Sequence, residues 1–173
     1  MSSTLILGGR RSGKSRRAQA LAEAYSDVVY IATATAWDEE MVERIAHHQS
    51  DRPSSWKTVE SPLLLAETLL EYDHSGRCLL VDCLTLWQTN LLLLDNPQLM
   101  RQEVKALQAL LPKLSAEVLL VSNEVGWSIV PENALARQFA DEVGRLHQQL
   151  AACCNRVELV VAGIPVTIKA EEK

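Results

Sequence analysis

The string Gly8-Gly9-Arg10-Arg11-Ser12-Gly13-Lys14-Ser15 has the spacing G-x-x-x-x-G-K-[ST]. Glycines in such a string let successive backbone N–H groups curl around phosphate oxygens. The lysine can reach the β- and γ-phosphates of a nucleoside triphosphate, and the hydroxyl after it can ligate Mg²⁺. An apolar run at residues 4–7 precedes the motif and a helix-like segment follows it, so the phosphates would also meet the positive end of a helix dipole. Gly8, Gly9, Arg10, Arg11, Ser12, Gly13, Lys14 and Ser15 are therefore expected to bind nucleotide. Lys14 would be the catalytic cation and Ser15 a metal ligand.

A second carboxylate site is expected further on. The apolar run Cys78-Leu79-Leu80-Val81 ends in Asp82. A carboxylate at the end of a buried strand is where phosphate-loop proteins place their other Mg²⁺ contact. The competing reading is a helix cap for the segment that starts at Leu84.

The third chemical feature is a histidine. Helical spacing over residues 38–50 lines up Met41, Arg44, Ile45 and His48, with Arg52 one turn further on, and points His47 about 100° away. Arginines beside His48 would favour its neutral form and bind phosphate oxygens. A neutral imidazole can attack phosphorus. Spacing alone favours a partly buried, hydrogen-bonded histidine over a nucleophile.

These groups need a scaffold. The chain has 173 residues, 47% of them hydrophobic and 23% charged, as expected for one globular domain spanning 1–173. The net charge of −5 argues against a nucleic-acid partner. Runs such as Leu91-Leu92-Leu93-Leu94 are too short for membrane insertion. No export pattern is evident, so a cytoplasmic protein is expected, with Cys78, Cys83, Cys153 and Cys154 as small apolar residues in a reducing compartment. Strands are expected at residues 4–7, 28–32, 77–82, 117–122 and 157–162, with an edge strand at 166–169. Helices are expected at 14–25, 38–50, 62–71, 84–94, 98–111 and 133–152. Near-continuous Val/Leu strands alternating with helices imply an α/β protein with a largely parallel sheet. Trp87 and Trp127 are expected as packing anchors. Leu63, Leu64, Leu65, Leu69 and Leu70 are expected in the core or a subunit contact, His74 and His147 at the surface or as caps, and residues 171–173 as a solvated tail. Glu124 is expected to touch a substrate, to cap, or to pair with Arg137.

The phosphate-loop string, Tyr30-Ile31-Ala32-Thr33, the segment from Glu40-Met41 through His48 to Trp56-Lys57-Thr58-Val59-Glu60, and Asn123-Glu124-Val125-Gly126 with Ile129-Val130-Pro131-Glu132-Asn133, Ala136-Arg137, Asp141 and Gly144-Arg145 together resemble the bifunctional adenosylcobinamide kinase / adenosylcobinamide-phosphate guanylyltransferase family. The resemblance spans essentially the whole chain. It implies a RecA-like α/β fold, assembly as a homo-oligomer (a trimer), and two successive reactions. The first phosphorylates the aminopropanol hydroxyl of adenosylcobinamide from ATP or GTP. The second joins GMP from GTP to that phosphate through a guanylyl-histidine, which aligns with His48. By motif position the nucleotide contacts would be the loop residues with Ala32, Thr33, Ala34, Gln49, Ser50, Asp51, Arg52, Glu60 and Asp82, and Mg²⁺ would be the cofactor. Two departures stand out: Arg10 replaces a usual Ala, and Trp127-Ser128 replaces a small residue and Gly. A plain small-molecule kinase would need no His48, and a nucleotide-dependent switch would transfer nothing to a corrinoid. Glu60 and Asp82 are the candidate general bases for the kinase step.

Overall fold

The computed structural model describes residues 2–35 and 53–170. Seven strands form one sheet: β1 (Ser3–Gly8), β2 (Asp27–Ala32), β3 (Lys57–Glu60), β4 (Arg77–Asp82), β5 (Glu117–Asn123), β6 (Arg156–Val161) and β7 (Ile164–Lys169). Their order is β3-β2-β4-β5-β1-β6-β7. The first six run parallel, and β7 returns antiparallel along β6. The flanking helices are α1 (Lys14–Ala22), α2 (Leu65–Glu71), α3 (Leu84–Leu93), α4 (Pro97–Leu110) and α5 (Ala134–Cys153). Strand β5 separates β1 from the Asp82 strand β4, an order the sequence left open, while the largely parallel sheet with flanking helices is as expected.

Alternation along the strands sorts the core into two layers. Leu5, Leu7, Val29, Ile31, Leu79, Val81 and Leu120 face a large cluster built with α2, α3, α4 and α5. Ile6, Val28, Tyr30, Leu80, Leu119 and Val121 face a smaller one with Ala18 and Ala22 of α1. Helix α3 is buried nearly all round, which fits its run of leucines. It also ties loops together: Trp87 Nε1 donates to Leu63 O at 2.7 Å, and Asn90 Nδ2 donates to Thr33 O at 2.8 Å and Pro62 O at 3.0 Å. Trp87 is thus the packing anchor anticipated. Helices α4 and α5 start where Asn96 and Asn133 side chains accept the backbone N–H of Leu99 and Ala136.

Several expectations need correction. Strand β3 has a single apolar residue between charged ends, so alternation gave no sign of it; it is a short, exposed edge strand, where charge is tolerated. Helix α2 begins at Leu65 rather than residue 62, because the carbonyls of Pro62 and Leu63 accept from α3. Helix α1 ends at Ala22. Leu65 and Leu69 are core, whereas Leu64 and Leu70 are exposed. Cys78, Cys83 and Cys154 are buried and Cys153 half-buried, all as free thiols. Burial pushes Cys78 up to about 12 and Cys83 up to about 11, which makes both poor nucleophiles. Among the described residues no helix is long and apolar enough to cross a membrane. The helix expected at 38–50 and the tail at 171–173 lie outside the described residues.

One buried charge fastens the first helix to the sheet. Glu158 on β6 is fully enclosed and accepts from Arg17 Nε and Nη2 at 2.8 and 2.9 Å and from Arg156 Nε at 2.8 Å. The bonds from Arg17 are the main reason its carboxyl sits below the usual range. A carboxyl depressed in the folded state adds stability above its unfolded pKa, near 4.3, and loses it as pH falls through the folded value. Glu158→Gln should therefore be destabilised at pH 7 by roughly 3 kcal/mol in denaturant unfolding. The gap to the native chain should narrow steadily below about pH 4.3.

Candidate functional site

The phosphate loop leaves the end of β1 with neighbours on both sides. Gly8 lies opposite Asn123 of β5 and Val160 of β6. The loop is clamped from each flank through the backbone. Glu124 N–H donates to Gly8 O at 3.0 Å, and Gly163 N–H donates to Ser12 O at 2.8 Å. Within the loop, Ser12 N–H donates to Gly9 O at 3.2 Å. Gly163 comes from the β6–β7 hairpin, whose two turn residues, Ala162 (φ 52) and Gly163 (φ 80), both have the positive φ of a type I′ turn.

Two glycines have no substitute here. A Cβ on Gly8 would lie 2.7 Å from Val160 O and would also strike Ser12 Oγ. Gly13 has φ 96, and a Cβ there would meet the Cα of Gly163 at 3.2 Å. Arg11 (φ 58) is left-handed as well, so the chain turns its N–H groups into a concave nest before α1 begins.

Lys14 is buried at the start of α1, and its Nζ donates to Gly9 O at 3.2 Å across the loop. Burial lowers its pKa, while the nearby Cys83 and Asp82 oppose that shift. Asp82 ends β4, in register with Ala32 of β2 and Val121 of β5. It is not a helix cap: α3 starts after Cys83 and no side chain caps it. Ser15 lies in the first turn of α1. Ala32 and Glu60 are register partners, so Glu60, Ala32 and Asp82 share the same sheet edge as Gly8. Thr33 is different. Its hydroxyl donates to Cys83 O at 2.7 Å and accepts from Cys83 N–H at 2.9 Å, and its carbonyl accepts from Asn90. It therefore splices β2 to β4 and keeps its hydroxyl inside. Ala34 follows it in the same loop. His48, Gln49, Ser50, Asp51 and Arg52 lie outside the described residues.

A cavity of about 490 Å³ opens beside the loop. Gly9, Arg10, Arg11 and Ser12 form one wall; Glu124, Val125 and Trp127 contribute another, with the end of β6 behind. Trp127, expected to pack, is 77% exposed at this rim. Glu124 does not pair with Arg137, whose guanidinium donates to Pro131 O and Glu132 O. Its Oε1 accepts from Gly126 N–H at 2.8 Å, and its Oε2 lies 3.6 Å from His147 Nδ1.

His147, like Trp127, is a residue that sequence reasoning misplaced. It is buried, not at the surface, and its Nε2 lies 2.8 Å from Ser122 Oγ. Burial lowers its pKa, against an opposing pull from Glu124. The available signal was helical spacing: Val143, Leu146 and Leu150 form the buried stripe of α5, and His147 falls inside it.

Three comparisons bear on this site. The model of the family described as cobinamide kinase / cobinamide phosphate guanyltransferase matches residues 4–168. The bifunctional adenosylcobalamin biosynthesis protein CobP of Pseudomonas aeruginosa is 54% identical over 168 residues, covering 96% of this chain and 97% of that one. The protein CobU of Escherichia coli, described in the same words, is 44% identical over 178 residues, with 95% and 98% covered. Among solved structures, an ATPase of a bacterial type III secretion system superimposes with a TM-score of 0.54 at 10% identity, over 96% of this chain and 56% of that one. That likeness speaks to the fold alone.

The tight seat of Gly8 gives a direct check. Forcing a methyl against the Val160 carbonyl costs about 1–3 kcal/mol and must move the loop. Gly8→Ala should bind GTP roughly 5- to 150-fold more weakly in a calorimetric titration. Unchanged affinity would mean that the loop tolerates the shift.

Proposed function

Because this chain belongs to the cobinamide kinase / cobinamide phosphate guanyltransferase family, we propose that it phosphorylates the aminopropanol hydroxyl of adenosylcobinamide and then transfers GMP from GTP to that phosphate, releasing pyrophosphate. The observation that carries the reading is the phosphate loop itself: a backbone nest, clamped from both sides, with a buried lysine laid across it.

One loop can serve both reactions because the charge that must be stabilised is alike. The kinase step breaks the bond to the γ-phosphorus and expels a nucleoside diphosphate. The guanylyl step breaks the bond at the α-phosphorus and expels pyrophosphate. In each, negative charge grows on a pair of linked phosphates, where the loop N–H groups and Lys14 stabilise it. The attacking group differs: the substrate hydroxyl in the first step, His48 in the second, with GMP passing from His48 to the substrate phosphate.

Ser15 and Asp82 suit Mg²⁺, since both offer hard oxygen donors. Mg²⁺ is usually held by one or two protein oxygens, with phosphate oxygens and water filling the rest of its shell. Bound there, Mg²⁺ would neutralise phosphate charge. Ala32, Thr33, Ala34, Gln49, Ser50, Asp51, Arg52 and Glu60 complete the nucleotide site in this reading, with Thr33 acting through its backbone surroundings. ATP and GTP are the phosphate donors considered. The reading also places one domain over the whole chain in the cytoplasm and assembles it as a homo-oligomer, a trimer. The exposed Ile164, Val166 and Ile168 of edge strand β7 support assembly, since such an apolar edge is usually covered.

The test is incubation with α-labelled GTP and Mg²⁺ without corrinoid, followed by denaturation and intact-mass measurement. The native chain should carry an acid-labile GMP adduct and His48→Ala none, while His48→Ala keeps its kinase activity. No adduct on a folded, GTP-binding native chain would leave a kinase alone.

A further inference from the structure

The kinase step needs a group to take the proton of the attacking hydroxyl, and among the described residues Glu60, Asp82 and Glu124 are the carboxylates at the loop's end of the sheet. Glu60 ends β3, four strands from β1; at about 4.8 Å per strand it is some 19 Å away along the sheet. Asp82 is near the buried Lys14 and is the Mg²⁺ ligand of the reading above. Glu124 follows Asn123, the register partner of Gly8, on the strand adjacent to the loop, and its own N–H is bonded to Gly8 O.

Glu124 is held in place at the cavity by fixed neighbours. It lines the cavity whose other wall is the phosphate loop. The Gly126 N–H fixes Oε1, and His147 lies behind Oε2. The arginine closest in sequence, Arg137, is bound to backbone carbonyls instead. His147 is itself fixed: Ser122 Oγ is 2.8 Å from its Nε2 and 3.2 Å from Thr85 Oγ1, and Thr85 accepts the Asn123 N–H at 2.7 Å. A polar chain thus runs from the cavity through β5 to the first turn of α3, just beyond Asp82. Burial keeps His147 toward its neutral form, so it orients Glu124 without cancelling its charge.

We propose that Glu124 is the proton acceptor of the kinase step and that His147 is its positioning residue. This rests on the kinase reading above. The alcohol oxygen forms a bond to the γ-phosphorus, and the bond from that phosphorus to the β,γ-bridging oxygen breaks. Its electron pair leaves with the nucleoside diphosphate. The hydroxyl proton passes to a Glu124 carboxylate oxygen and then to water.

The experiment compares the native chain with Glu124→Gln, Glu124→Asp and His147→Gln, in kinase turnover on adenosylcobinamide and in calorimetric GTP affinity. Native activity is read first, because its absence would fail the kinase reading and not this assignment. Glu124→Gln should lower kcat about 100- to 1,000-fold, with GTP affinity within about twofold. Glu124→Asp should recover part of that loss. His147→Gln should lower kcat about tenfold with KM for both substrates nearly unchanged, a split that lost packing alone would not produce. Kinase turnover in Glu124→Gln within threefold of native would overturn the assignment. So would a parallel fall in GTP affinity, which would make Glu124 a prop of the loop.

Discussion

Everything in this structure depends on holding a short stretch of backbone in a shape that polypeptides resist. The loop between β1 and α1 must point several N–H groups at one place, through left-handed residues at Arg11 and Gly13. Such a curve costs free energy in isolation. Here it is bolted on both flanks, by the Glu124 N–H on the β5 side and the Gly163 N–H on the hairpin side. The sheet order follows from this need, since β1 must lie between two neighbours that can reach over its end. The β6–β7 hairpin, which looks peripheral, supplies one of the two bolts.

The second organising element is α3. Its apolar faces fill the larger core, and its few polar groups are directed at chain ends near the site. Asn90 holds the carbonyls after β2 and β3, Trp87 holds the carbonyl of Leu63, and Thr85 joins the Ser122–His147 chain. A helix following directly from the Asp82 strand thereby fixes the loops around Asp82. The same packing that stabilises the domain sets the positions of its chemical groups.

Most of the scaffold was legible because its signals are local. Buried parallel strands read as Val/Leu runs, and Arg77–Asp82 was placed to the residue. The phosphate loop was legible because glycine and lysine spacing maps directly onto phosphate geometry. What escaped was set by tertiary contact. Strand β3 exists because β2 pairs with it, not because of its own pattern. Thr33, a nucleotide contact by family resemblance, also has a structural part that no string shows, its hydroxyl bonded to both the carbonyl and the N–H of Cys83. Trp127 looked like a packing anchor but is exposed at the cavity rim. His147 was read as a surface or capping residue, although it shares a stripe with Val143 and Leu150 and meets Ser122 and Glu124, partners more than twenty residues away in sequence.

The central claim is that one loop and one lysine stabilise the leaving group in both reactions. Lys14→Ala tests it most directly, assayed in parallel for phosphorylation of adenosylcobinamide and for GMP adduct formation from GTP, with its fold checked by thermal unfolding. The account predicts that both rates fall together, each by about 100-fold or more. A folded Lys14→Ala chain that still forms the adduct at the native rate would contradict it and would require a separate site for the guanylyl step.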